Sequence, residues 1–365
     1  MEDPWGDRAI AVKFDRVAES VEAVRGMHFD GVAAVGDAPA VLAAEAAQAL
    51  GVPFHPPSAA RACRDKHMAR ALFQAAGMLV PQFFLASSDA EPEVLAAGAP
   101  YPCVLKPLGL SASRGVIRAN DPAEFREALA RIRNMGEHDI QVESYIEGCE
   151  FAVEGLVTRG RFHPFAIFDK PDPLEGPYFE ETIYTTPSRR PATVQHELLQ
   201  TTERAINTVG LCHGPVHAEL RYNSEGAWML EVHARPIGGL CAQALRFEGG
   251  VPLEEITLRH ALGEDVSGAR LEHPGSGVMM IPIPRGGVYQ SVDGLAEAVA
   301  VPGIEDVIIT AQPGQRLIPL PEGSAYLGFI FARAGSPEEV EEALRSSHAR
   351  LRFHIATALD TFKPD

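Results

Sequence analysis

The run from His217 to Arg235 constrains this chain more than any other stretch. It alternates strictly between polar and apolar residues about a centre at Ser224-Glu225-Gly226. That alternation predicts a β-hairpin, and the central triplet predicts a three-residue loop with glycine last, where a positive φ is needed. In that register Glu219 faces Glu231 and His217 faces His233. One face carries His217, Glu219, Arg221, Met229, Glu231, His233 and Arg235. The other carries Ala218, Leu220, Tyr222, Trp228, Leu230, Val232 and Ala234, a core face. Two carboxylates directly across a strand pair repel each other. A cation between them removes the repulsion, and carboxylate pairs that hold Mg²⁺ against phosphates are the common case. The plainer reading is a solvated strand face of mixed charge. Against it stands the segment Pro236, Ile237, Gly238, Gly239, a backbone-exposing loop beside the charged face.

At 365 residues the chain is long enough for two or three cores. Its 46% hydrophobic and 22% charged residues are the balance of a soluble globular protein. A formal net charge of −17 argues against general binding to nucleic acid or anionic membranes. It leaves room for ATP, which needs only a local basic pocket. Cysteines 63, 103, 149, 212 and 241 form no CxxC pair, so reduced thiols in a cytoplasmic protein are expected. The start, Met1 to Trp5, lacks a basic-then-apolar secretory pattern, and no apolar run reaches transmembrane length.

Along the chain, residues 1–57 predict a small α/β unit: strands at Ile10–Phe14 and Gly31–Val35, helices at Val17–Val24 and Pro39–Leu50. The proline cluster at 53–57 marks a boundary. Ser58 is the expected N-cap of one helix running to about Ala76, with Gly77 after it. Strands follow at Pro81–Leu85, Tyr101–Lys106, Val116–Ala119 and Ile140–Tyr145. Helices are expected at Pro92–Ala97 and from Asp121 to Ile132. Glu150–Val157 and Arg161–Phe168 form a hairpin about Arg159 and Gly160. Asp169–Pro191 predicts a long, proline-rich irregular loop, a length that is usually functional. Helices at Ala192–Val209 and Leu253–Leu262 flank the opening hairpin. Residues 266–365 alternate three strands (Gly277–Pro282, Asp306–Ala311, Tyr326–Ala332) with helices at Gly294–Ala300 and Glu338–Leu344, which predicts a separate α+β cap.

Two lysines sit in phosphate-compatible settings. Lys106 ends a strand just before the Gly- and Ser-containing loop Leu108–Gly115, whose backbone N–H groups can close over phosphate oxygens. Lys66 lies on a helix and by itself reads as an ordinary surface lysine. The stretch Glu143–Ile146 leaves a strand in a way that suits a hinge reading an adenine edge, and Glu150 suits ribose hydroxyls. Taken alone, that stretch is a strand and a turn.

The order of these features (lysine, lysine with loop, Glu hinge, Glu, Glu–Glu hairpin, Arg) resembles the ATP-grasp superfamily. Within it the likeness is greatest to the L-amino-acid ligases, over residues 58–265 and again from Gly277 to about Leu351. The resemblance implies an ATP-grasp fold, two α+β subdomains clasping ATP, with a short N-terminal α/β domain (1–57), an ATP-grasp domain (58–265, lid subdomain about 86–142) and a C-terminal α+β domain (266–365). It implies that Lys66 and Lys106 contact the α- and β-phosphates. The Ser111–Gly115 loop, with Ser113 and Gly115, is the lid over the triphosphate. Glu143, Tyr145, Ile146 and Leu230 line the nucleotide site, and Glu150 binds ribose. Glu219 and Glu231 hold Mg²⁺ or Mn²⁺. His233 stands where many members have an Asn metal ligand; imidazole suits Mn²⁺ better than Mg²⁺. Arg235, with Lys106 and Ser113, serves the transferring phosphoryl group. The family's first domain usually opens with a strand and a Gly-containing turn, and this chain starts too late for that.

The implied reaction is ATP-dependent ligation of a carboxylate to an amine through an acyl phosphate, the substrates being small molecules of the amino-acid kind. A homodimer is compatible with the resemblance. Lys170, Glu180 and Glu181 in the long loop are candidates for contacts to the acceptor, and His217 on the charged face for contact with substrate; solvated loop charges and a bonded strand histidine are the alternatives. Three other classes stay open: an ATP-grasp enzyme that carboxylates, as in biotin-carboxylase-like or purine-pathway reactions; a non-catalytic ATP-binding regulatory protein; and an inert structural protein.

Overall fold

The computed structural model describes residues 9–357 apart from 88, 138 and 273. The run Met1 to Trp5 lies outside them. Where helices were expected near the N-terminus they form: α1 (Val17–Val24) and α2 (Asp37–Leu50), the latter ended by Gly51 at φ 72°. The two expected strands do not form. Ile10–Phe14 and Gly31–Val35 pair with no strand among the described residues. Strand geometry needs a neighbour for its N–H and C=O groups. Gly31 instead packs on Ala261, whose carbonyl oxygen would lie 2.5 Å from any added Cβ.

The single helix expected over 58–76 is two, α3 (Pro57–Arg64) and α4 (Lys66–Ala75), with Pro56 rather than Ser58 as the first cap. Asp65 breaks the run because its side chain accepts from the backbone N–H groups of His67 and Met68, capping α4. This break sets Lys66 at the start of α4, turned toward the lid.

The segment expected to form the lid is a four-stranded antiparallel sheet of order β1 (Phe83–Ser87), β4 (Asp139–Ser144), β2 (Cys103–Pro107), β3 (Ile117–Ala119). Helices α5 (Pro92–Gly98) and α6 (Pro122–Asn134) cover it, α6 capped by Asp121 as expected. Its own core contains Leu105, Phe125, Leu129, Ile132 and Ile140.

The body is an eight-stranded sheet of order β14 (Ile304–Ile309), β16 (Gly328–Ala334), β12 (Gly275–Ile281), β7 (Ile183–Thr186), β6 (Arg161–Lys170), β5 (Cys149–Thr158), β8 (Gly214–Asn223), β9 (Gly226–His233). Helix α7 (Ala192–Val209) packs on its β8–β9 end, α10 (Pro337–His348) on its β12–β16 end and α8 (Leu253–Ala261) beside β8. A short ribbon, β10 (Arg246–Phe247) with β11 (Val251–Pro252), precedes α8. Strands β13 (Gly287–Asp293), β15 (Arg316–Leu317) and β17 (Arg352–Ala356) make a third small sheet near α9 (Leu295–Val299).

Two expectations change here. The loop over 169–191 contains a strand, β7. Through β7 the C-terminal strands continue the central sheet, so residues 266–356 are not a cap standing apart. Proline-rich flanks hide β7 in the sequence, while its four residues are all buried.

One buried histidine stiffens the joint between α3 and β8. His55 donates from Nε2 to the Pro215 carbonyl at 2.9 Å, and its Nδ1 accepts from the N–H groups of Cys212 and His213. A proton on Nδ1 would set donor against donor. Burial therefore pushes the His55 pKa down to about 4. Since the folded value lies below the unfolded value, this contribution is present in full above pH about 6.5 and is lost as pH falls toward 4, a swing of about 3 kcal/mol. Denaturant titrations between pH 7.5 and 4 are expected to show that loss, and His55→Gln to flatten it. An equally steep acid loss in the variant would rule His55 out as its source.

Candidate active site

The β8–β9 hairpin builds one wall of the site. Glu219 pairs with Glu231 and His217 with His233, in the register the alternation predicts. The turn differs. Asn223 pairs with Gly226, so the loop has two residues, and the surplus residue becomes a bulge opposite Glu219 and Leu220. A bulge switches which face later residues occupy. Met229, expected on the charged face, is fully buried in the core, and Leu230, expected in the core, lines the cavity.

The opposite wall comes from the lid and α4. Glu143 on β4 is 2% exposed and accepts from Arg70 Nε at 2.9 Å, from Gln141 Nε2 at 2.6 Å and from Lys106 Nζ at 2.8 Å. Burial raises its pKa, but Arg70 and Lys106 hold it at about 2. The Glu143 side chain thus aims Lys106 into the site. Lys66 Nζ donates to the Leu110 carbonyl at 3.0 Å, at the start of the lid loop. In that loop Ala112 and Ser113 take φ of 54° and 56°, and Ser113 lines the cavity. Gly115 does not line it: its N–H goes to the Pro321 carbonyl at 2.8 Å, and its missing Cβ makes room for Pro107. The Gly115 backbone therefore braces the loop and is not aimed at a ligand. Tyr145 and Ile146 leave β4 at the cavity edge, where the Ile146 carbonyl accepts from Arg221 at 2.6 Å.

Between these walls lies a buried ammonium. Lys170 contacts Glu150 at 2.8 Å, Glu219 at 3.8 Å and Glu181. Glu150, Glu181 and Glu219 are grouped closely enough to suit a metal, yet Lys170 already sits among them. Burial opposes its charge, and the three carboxylates nonetheless hold its pKa well above the ordinary lysine value. Lys170 is therefore a structural cation and not a solvated loop charge. Glu150 lines the cavity with its other oxygen on Arg221 Nε at 2.9 Å, so both oxygens are engaged. Glu180 is not among the cavity-lining residues, whereas Glu181 is.

His233, the expected further metal ligand, has a carboxylate at each ring nitrogen. Nδ1 meets Asp37 Oδ1 at 2.9 Å and Nε2 meets Glu231 Oε2 at 3.2 Å. Burial opposes a charge on the ring, and the Asp37 and Glu231 carboxylates nonetheless raise the His233 pKa above the ordinary value. Asp37 also binds Arg235 Nε at 2.8 Å. Burial pushes Asp37 up, but His233 and Arg235 hold its carboxyl far below the usual range. Asp37, at the first turn of α2, thereby fixes the direction of Arg235 from the N-terminal unit. Glu154 has a matching part: it binds His217 Nδ1 and accepts from the Ile237 N–H at 3.1 Å. Sequence reasoning missed both, because Asp37 lies 196 residues from His233 and Glu154 lies 63 from His217.

Asp37, Lys66, Lys106, Ser113, Glu143, Tyr145, Ile146, Glu150, Glu181, His217, Glu219, Arg221, Leu230, Glu231, His233 and Arg235 line one cavity of about 700 Å³. Two opposed carboxylates, two lysines and an arginine on its wall form a donor set suited to a divalent cation and phosphates. Among the described residues, no helix is long and apolar enough to cross a membrane. The five cysteines are free.

Residues 99–244 match the family model of the ATP-grasp domain, and residues 279–356 match that of the L-amino acid ligase C-terminal domain 2. A protein of Sinorhizobium fredii described only as uncharacterized protein y4rH is 24% identical over 317 residues, 85% of this chain and 65% of that protein. A D-alanine–D-alanine ligase of Cupriavidus pinatubonensis is 25% identical over 198 residues, 51% of this chain and 59% of the ligase. The chain spans less than two thirds of the length of these two curated relatives. Among solved structures, an L-amino acid ligase from Bacillus licheniformis matches with a TM-score of 0.78 at 27% identity, over 94% of this chain and 86% of that one. The chain thus carries an ATP-grasp domain, followed by a region that matches the C-terminal domain of the L-amino acid ligases.

Proposed function

We propose that this chain is an ATP-dependent ligase that joins a carboxylate to an amine, with two amino acids as substrates and a dipeptide as product. One observation carries the reading: Glu219 and Glu231 face each other across β8 and β9 in the same cavity as Lys66, Lys106 and Arg235. Glu219 and Glu231 would hold Mg²⁺, with Mn²⁺ a substitute at the same oxygens. The ion would neutralise charge on the nucleotide's β- and γ-phosphates. Lys66 and Lys106 bind the phosphates, and the Ser111–Ser113 backbone lies over them. Tyr145, Ile146 and Leu230 bound the base, and Glu150 stands beside the ribose.

A carboxylate oxygen is a poor leaving group at neutral pH. Its attack on the γ-phosphorus breaks the bridging bond to ADP and gives an acyl phosphate. The lone pair of the second substrate's amine then attacks the acyl carbon. The carbon–oxygen bond breaks, inorganic phosphate departs and the amine loses a proton. Arg235, held by Asp37, stabilises the oxygens of the transferring group. The lid keeps water from the acyl phosphate.

The reading is tested by measuring ADP release across a panel of amino-acid pairs, with mass detection of products. Release that needs both a carboxylate and an amine is expected. No stimulation by any pair would sink the dipeptide version, and release driven by bicarbonate would point to carboxylation.

A further inference from the structure

Residues 318–326 lie between β15 and β16 and touch two parts of the molecule at once. On one side Ser324, Ala325 and Tyr326 line the cavity. On the other, Pro321 and Glu322 reach the lid. The Gly115 N–H donates to the Pro321 carbonyl at 2.8 Å, and Arg114 Nε donates to the Glu322 carbonyl at 2.9 Å. The Glu322 carboxylate takes both prongs of Arg131 on α6, Nε at 2.8 Å and Nη2 at 3.2 Å. One residue thus ties both the loop and a helix of the lid to a segment 191 to 208 positions further along the chain. The turn that presents it is tight. The Gly323 N–H donates to the Pro319 carbonyl at 2.9 Å, and a Cβ on Gly323 would lie 1.7 Å from the Ile318 carbonyl oxygen, so only glycine fits. Arg131 has a second partner as well. Its guanidinium donates to the Tyr178 hydroxyl, and Tyr178 bridges the edge strand β3 at Ile117.

The strength of this fastening matters. The Arg131 and Glu322 side chains are 43% and 41% exposed. An ion pair in that setting is weak alone and weaker in salt. The two backbone carbonyls add direction more than strength. Such contacts bias a moving part toward one position and still release it. A lid that admits a nucleotide and then excludes water needs that balance. A buried pair, costly to part, would not give it.

Resting on the ligase reading, we propose that Pro321 and Glu322 form a latch through which the C-terminal region holds the lid shut, and that this latch sets how much acyl phosphate is lost to water. If it parts while the intermediate is present, a water oxygen attacks the acyl carbon. The carbon–oxygen bond breaks and inorganic phosphate leaves. The water's proton goes to solvent and the carboxylate is returned unchanged, so one ATP is hydrolysed with no amide formed. Ser324 to Tyr326 border the same cavity, so the latch and the substrate space share one stretch of backbone.

One arm of the test needs no ligation. With Mg²⁺ and a non-hydrolysable ATP analogue, deuterium exchange at the amides of 111–116 is expected to rise about threefold to fivefold in Glu322→Gln and in Arg131→Gln, with thermal melts unchanged. The double variant should be no faster than either single one, because both remove the same pair. Raising salt to about 0.5 M should speed exchange in the parent and not in the variants. Parental exchange in both variants would overturn the latch. The other arm counts amide product per ADP released. A fall of about threefold to fivefold in each variant is expected, with ADP release itself not reduced. Arg131→Lys, which keeps the charge and loses the fork, should lie between the parent and Arg131→Gln in both arms. Faster exchange with parental product per ADP would overturn the tie to water loss. Faster exchange with no ADP from any pair of substrates keeps the latch and discards the ligase.

Discussion

Replacing Glu231 by glutamine is expected to lower turnover by about a hundredfold or more while leaving the folded state close to parental stability. The amide keeps the shape of the side chain and removes its charge. Glu231 lies at the cavity wall with 22% of its side chain exposed, so no core packing is lost. Removing one of two opposed carboxylates relieves their mutual repulsion when no cation is bound, which offsets the lost charge on the His233 contact at 3.2 Å. Activity and stability should therefore part company. Steady-state ADP release against Mg²⁺ concentration, beside a thermal melt, checks both halves. Parental turnover in Glu231→Gln would remove the cation from this pair, and a collapsed melt would make Glu231 a structural residue instead.

The second large effect is on stability. Arg70 is 2% exposed and joins three elements: α4, which carries it, β4 through Glu143, and β9 through the Met229 carbonyl. Arg70→Met keeps the volume of the stem and strands a buried carboxylate. Breaking a buried pair by removing one partner costs about 3–5 kcal/mol, and the lower end applies because Lys106 and Gln141 remain on Glu143. Urea unfolding reads the loss. Adding Glu143→Gln should recover part of it, since the orphaned charge is then gone. A single variant as stable as its parent would show that the lid is joined to the body some other way.

What could be read in advance follows the range over which each signal acts. The Glu219–Glu231 register was legible because period-two alternation is local and strong. The bulge that exchanges Met229 and Leu230 was not, since Ser224-Glu225-Gly226 suits both a three-residue loop and a two-residue turn with the surplus absorbed further along. Helices α1 and α7 stand at their expected bounds. The α3–α4 break escaped notice because Asp65 is unremarkable until its side chain is seen capping α4. The residues that hold the reactive side chains were the hardest to foresee. Arg70, Asp37 and Glu154 act on partners 63 to 198 positions away, and nothing in their own neighbourhoods marks them. The strands expected at 10–14 and 31–35 erred the other way: local pattern was present and a neighbouring strand was not.

Strand β7 joins the two halves of the eight-stranded sheet unequally. Four of its residues pair with β12, but only Thr185 pairs with β6, at Asp169. Asp169 Oδ1, Thr185 Oγ1 and Thr186 Oγ1, all at this junction, are buried without a hydrogen-bonding partner. The sheet is thus two plates meeting along a crease, and the crease runs past Lys170 and Glu181. Backbone amides of 183–186 should exchange with deuterated solvent sooner than those of 151–157, and equal protection would mean a single stiff plate. A fold along that line would move the cavity wall at Met280 and Phe329 relative to the phosphate-binding end without disturbing either plate's interior.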